Sequence, residues 1–213
     1  MNKSKTLLYL PSALTALVSG LAVYVWGHSF DWQLSAINSY QFFPVLGLLA
    51  YSIMWSHYMV GAVKQRWFMD TDLKPYFRYT GYVVLGAIVL HPGILIYQRF
   101  RDGYGLPPGS YESFVAPSVA WVTLLGTVSL LAFLVFELHR WYGQRTWWKY
   151  VIAAGDLAMV AIFYHGLRLG SQLQGGWFQA VWWFYGITLI LALARKYTLL
   201  ALHKGRIEQT TNW

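Results

Sequence analysis

Of the 213 residues, 57% are apolar, 19% aromatic and only 11% charged, less than half the charged share of an average soluble domain, which is about 25%. That composition excludes an ordinary water-soluble fold and places the chain in lipid. The absence of cysteine excludes disulfides, iron–sulfur clusters and thiolate-ligated haem. A formal charge of +8 raises the question of a polyanionic partner, but the placement of the basic residues assigns it to membrane topology instead, and no nucleic-acid partner is expected.

Charge-free runs cover Thr6 to Phe30, Trp32 to Val63, Tyr79 to Gln98, Ser113 to Phe136 and Leu169 to Ala194, and Tyr150 to Leu167 is interrupted only by Asp156. About 20 residues cross the hydrocarbon as a helix, and lipid admits only helices or closed barrels. No barrel-like alternation is visible, so six spans follow: an all-α integral membrane six-helix bundle in one domain, without an internal sequence repeat. With the N-terminus cytoplasmic, 13 of the 16 Lys and Arg residues fall on the inner side, leaving Arg99, Arg101 and Arg168 outside. This asymmetry follows the positive-inside rule. It predicts two cytoplasmic termini and, for such a chain, a bacterial cytoplasmic membrane, with lipid as the surrounding partner.

Span 1, Thr6 to Gly27, carries Pro11 and ends near His28, expected to be an interfacial imidazole. Its basic lead resembles a signal peptide, but the long apolar run predicts a retained helix. Span 2, Gln41 to Val63, holds His57 toward its inner end. The loop KQRWFMDTDLKPYFR follows, a solvated basic segment.

Span 3 contains GYVVLGAIVLHPGILIYQ, in which His91 stands without a charged neighbour. An ionisable side chain inside a span is costly and usually serves an ion, proton, ligand or metal role. Pro92 removes one helical hydrogen bond and predicts a kink at His91. The outer loop RFRDGYGLPPGSYE is rich in turn formers and is positioned to cap the outer opening. Span 4, Ser113 to Arg140, closes with Glu137 and His139 at the inner interface. Span 5, from Trp147 or Trp148, holds Asp156 and His165. At about 100° per residue their spacing puts them on opposite faces, so Asp156 is expected to bond a neighbouring helix. Span 6, Trp177 to about Ala194, opens with the aromatic belt WFQAVWWFYG.

Spans 3 and 5 run in the same direction. His91 lies about 18 Å along span 3 from Tyr79, and His165 about 25 Å along span 5 from Trp148, at 1.5 Å per residue. Both then fall in the outer half of the membrane. Two neutral imidazoles facing across a bundle suit a six-coordinate haem iron. Small residues nearby, Gly86, Gly93 and Gly166, would let a porphyrin edge approach the backbone. Arg168, one turn after His165, lies on the same helix face and could pair a propionate. Packing histidines or a proton pathway are the competing readings of the same spacing, and a cofactor-free assembly subunit or small proton-coupled transporter is the competing function.

The segments TGYVVLGAIVLHPGILIY and RTWWKYVIAAGDLAMVAIFYHGL resemble the third and fifth spans of the ferric reductase-like transmembrane family, related to the haem domains of NADPH oxidases. The resemblance implies b-type haem held by histidines of spans 3 and 5, with His91 and His165 at the outer-ligand positions. Where the family carries the inner ligands, this chain has Ile152 in span 5 and Phe77 and Arg78 in span 3. One haem b is therefore expected, and a second is the alternative: one histidine on each of spans 2 to 5 is similar to the cytochrome b561 pattern, in which His57 and His139 would hold an inner haem. No GxGxxG follows a strand, so the donor is expected to be a separate flavin reductase or a quinol.

Overall fold

The computed structural model describes residues 3–33, 35, 37–68, 71–112 and 114–210. Ser113, the expected start of span 4, and Met69 and Asp70 of the inner loop lie outside the described residues. The described side chains likewise exclude those of Lys3, Lys5, Arg66, Arg140, Lys204 and Arg206.

Six long helices run in sequence: α1 (Lys3–His28), α2 (Ser39–Trp67), α3 (Lys74–Arg101), α4 (Ala120–Phe136), α5 (Trp148–Leu169) and α6 (Trp177–Thr210). Each is long and apolar enough to span a bilayer, and the described residues contain no strand. This is an all-helical integral membrane protein. The outward stripe of α4, Leu124, Val128, Leu131 and Val135, is exposed at helical spacing. In water such a stripe would need covering; in lipid it is already in its solvent.

Local chemistry fixes the helix ends. Asn38 and Gln41 form a capping box at α2: the Asn38 side chain accepts from the Gln41 N–H at 3.1 Å, and the Gln41 side chain accepts from the Asn38 N–H at 3.0 Å, satisfying two otherwise orphaned donors. Pro75 opens α3, where a missing N–H costs nothing, and α3 runs unbroken through Pro92. Span 4 begins later than the apolar run predicts. Ala116 is extended, with ψ 143°, as the residue before a proline tends to be, so helix starts only at Pro117 as a single 3-10 turn leading into α4. Its other end also differs: α4 stops at Phe136, and His139–Tyr142 forms a separate helical turn. α6 instead continues well past Ala194.

α2 is the hub. It packs against α1, α3, α5 and α6, and 56% of its apolar window is buried, against 11% for α3. The two most extensive pairings are α2 with α3 and α4 with α5. A core of large side chains, including Tyr51, Trp55, Met159, Trp182 and Tyr185, fills the space where α2, α5 and α6 meet.

Candidate functional site

Each of the two main helix pairs contributes one histidine to a shared cavity. In the first pair, His91 of α3 donates from Nδ1 to the carbonyl oxygen of Phe43 on α2, at 2.8 Å. In the second, His165 of α5 donates from Nδ1 to the carbonyl oxygen of Val122 on α4, at 2.9 Å. A carbonyl can only accept, so both rings carry their proton on Nδ1. In the neutral imidazole the lone pair then sits on Nε2, the nitrogen left to bind a metal.

A glycine makes each contact possible. Gly47 and Gly126 stand one helical turn after Phe43 and Val122, and in an α-helix that offset pairs the same carbonyl with the glycine N–H. A Cβ on Gly47 would lie 2.8 Å from Cε1 and 3.0 Å from Nδ1 of His91; on Gly126 it would lie 2.6 Å and 2.8 Å from the same atoms of His165. Any larger residue would therefore push the imidazole off its carbonyl. The chain carries no sequence repeat at these positions, yet the fold repeats one unit: a histidine laid on the glycine of the preceding helix and tied to the carbonyl a turn earlier.

His91 and His165 line a single cavity of about 370 Å³, within the usual range of ligand pockets, about 300–1,000 Å³. Its body is apolar, walled by side chains such as Leu48, Met54, Ile88, Leu130 and Phe133. Polar atoms gather on the side of the loops that follow α3 and α5. The Thr123 and Gln172 side chains line the cavity, and their buried Oγ1 and Oε1 have no hydrogen-bonding partner among the described residues. Nearby, the Tyr111 and Thr127 hydroxyls lie 3.1 Å apart. Tyr111 and Phe114 come from the connection between α3 and α4, so that loop does wall the opening at the end remote from the termini. Arg99, buried at the end of α3, holds the loop in place by lying over the Tyr104 ring at 3.4 Å and near Phe114.

Of the other residues singled out from the sequence, Gly166 lines this cavity and the rest stand apart from it. Arg168 is exposed on the last turn of α5, and neither it nor Gly86 lines the cavity; nothing lies within 4 Å of a Cβ built on Gly86. Gly93 is likewise absent from the lining, whereas Gly166 is part of it. His57 sits between α2 and α3 toward the termini. The Thr80 hydroxyl donates to the Tyr76 carbonyl at 2.7 Å, so it accepts from His57 Nε2 at 2.6 Å. Beside it, the Thr15, Ser56 and Tyr76 hydroxyls close a ring at 2.8, 2.8 and 3.1 Å. His139 is exposed in its helical turn, stacked on Phe136 and set edge-on to Trp148.

Asp156, on the face of α5 away from His165, is 4% exposed and saturated. Tyr58 of α2 donates to Oδ1 at 2.8 Å, while Lys196 and Tyr197 of α6 donate to Oδ2 at 2.5 and 2.7 Å. The residues that sequence reasoning overlooked are Phe43, Gly47, Val122 and Gly126. One signal was present: Gly126 is the sole glycine in the run Ser113 to Phe136. Among the described residues, no three His, Asp or Glu side chains gather to hold a metal ion. No protein-family model, curated protein or solved structure matches the chain.

Proposed function

We propose that this chain is a membrane b-type cytochrome, ferric reductase-like, with one haem b held by His91 and His165. The observation that carries the reading is the pair of imidazoles lining one cavity, each held by a backbone carbonyl through Nδ1 with Nε2 left to bind a metal. The amphipathic cavity supports it, because a porphyrin has an apolar body and a carboxylate edge, and of the polar side chains at one end, Thr123, Thr127, Tyr111 and Gln172, the Thr123 hydroxyl has its proton free to donate. Arg168, by contrast, is not on that rim.

Bound there, haem b supplies one-electron exchange between ferric and ferrous iron. The chain does the rest. The carbonyls of Phe43 and Val122 fix the tautomer and angle of each ring and raise its basicity. The apolar walls keep water from the iron-binding nitrogens, and the loop between α3 and α4 covers the outer opening. With both termini on the basic, cytoplasmic side, the cavity lies toward the outer face of a bacterial cytoplasmic membrane. Electrons then enter from a separate flavin reductase or a quinol and leave outward. An absorbance spectrum of the purified full chain from haem-replete cells, oxidised and then dithionite-reduced, tests this. Sharp bands of a six-coordinate haem b are expected; a colourless protein overturns the reading.

A further inference from the structure

The core between the cavity and Asp156 contains polar groups that packing alone does not explain. Tyr51, Ser52 and Tyr185 are 0%, 0% and 2% exposed; the Tyr185 and Ser52 hydroxyls meet each other, and beyond that contact none of the three hydroxyls has a hydrogen-bonding partner among the described residues. Native structures rarely leave such buried hydroxyls short of partners without a bridging water or ion. The three are neighbours. The Tyr51 and Tyr185 rings lie 6.5 Å apart, Tyr185 stacks on Trp55 at 4.3 Å, and Ser52 lies beside Tyr185. A buried water typically makes about three hydrogen bonds to groups of this kind.

The spacing along α2 leads from these hydroxyls toward Asp156. Tyr51 touches the cavity. Tyr58, two helical turns further along α2 on the same face and about 10 Å away at 1.5 Å per residue, donates to Asp156. Asp156 in turn bonds Lys196, whose side chain is 36% exposed. α6 repeats the alignment, since Tyr185 and Lys196 are three turns apart on one face. The titratable groups around Asp156 are Tyr58 from α2 and Lys196 and Tyr197 from α6; the remaining neighbour of α5, α4, has none within 120–136.

We propose that water bound at Tyr51, Ser52 and Tyr185 completes a proton route from Lys196 and Asp156, through Tyr58, to the wall of the cavity. The route rests on the haem reading, because it serves to deliver a proton as an electron enters. For each electron arriving from a reduced flavin or quinol, or from dithionite in the assay, one proton leaves bulk water at Lys196. At Lys196 an N–H bond breaks as Asp156 gains an O–H, at each later step one O–H bond breaks and one forms, and the last proton stays on the bound water at Tyr51, against the cavity wall. Charge entering a low-dielectric site is thus matched by charge of the opposite sign.

Two measurements on the full chain test the proposal. Radiolytic hydroxyl labelling of the cofactor-free protein should modify Tyr51 and Tyr185 well above equally buried Phe178, each normalised to its intrinsic reactivity; labelling no greater than that of Phe178 removes the water and overturns the proposal. In the haem-loaded protein, stopped-flow reduction with a pH-indicating dye should show proton uptake that slows at least tenfold in Tyr185→Phe and in Asp156→Asn, with the haem bands retained. Uptake that is absent in the wild type, or equally fast in the variants, overturns the route. Should Asp156→Asn fail to fold, Tyr185→Phe decides. A wild type without haem defeats the cytochrome reading instead, and the labelling still decides on the water.

Discussion

The two ends of the bundle use histidine in opposite ways. At the end remote from the termini, His91 and His165 give up Nδ1 to carbonyls, lie against glycines and share a cavity. At the other end, His57 commits Nε2 to a hydroxyl whose own proton is already used. Around it Thr15, Ser56 and Tyr76, and farther along Asp156 and its three donors, close on one another. One end has binding capacity left over; the other has spent it on holding helices together. The difference lies in the partner atom rather than in the residue type.

The sharpest way to break that contrast is to remove the rings. His91→Ala and His165→Ala should each abolish the six-coordinate haem spectrum, while His57→Ala and His139→Ala leave it in place; retention in the first two with loss in His57→Ala would move the site to the terminal end. Next in size is the saturated end. Asp156→Ala strips a buried carboxylate from Lys196, Tyr58 and Tyr197; with Lys196 partly exposed the loss falls mainly on the two tyrosine hydrogen bonds to a charged acceptor, about 1.5–3 kcal/mol each, read as a lower unfolding midpoint in detergent. Gly47→Ala and Gly126→Ala follow. Overpacking typically costs about 1–3 kcal/mol, so haem affinity should fall about 5- to 150-fold. Gly86→Ala, facing open space, should leave a haem titration unchanged. Thr80→Val deprives His57 of its acceptor and should cost about 1 kcal/mol without altering the spectrum.

The smallest effect concerns acid. The Tyr40 hydroxyl, and after it Gln98, donate to Asp102, holding its carboxyl below the ordinary carboxylate value of 3.8. A depressed pKa means that the tie between α2 and the end of α3 is fully present above that value and is lost as pH falls through the lower, folded one. Asp102→Asn should therefore flatten the stability curve only below about pH 4, and a curve that stays the same there removes the tie as a contributor.

How much of this was legible beforehand follows from what each feature depends on. Span number needs only the length of apolar runs, and all six appear. The start of α4 depends on backbone geometry before Pro117, which an apolar run does not reveal. His91 and His165 stood out because an imidazole in lipid demands a partner, and Asp156 for the same reason. Arg168 was singled out by its offset from His165, yet in the last turn of α5 it is Gly166 and Leu169 that line the cavity, and Arg168 is exposed outside it. Gly47 and Gly126 were overlooked because their role comes from a ring on another helix, and helix pairing is not written in local periodicity.

Because His91 belongs to the pair α2 and α3, and His165 to α4 and α5, the site straddles two halves that leave the ribosome at different times. The first half can be threaded into the bilayer with its imidazole already seated on Gly47, whereas the second ring arrives only once α5 has been translated. On the proposed haem reading, a cofactor bridging the two rings would load late in biogenesis, a clasp that rewards only chains whose two halves have both been inserted.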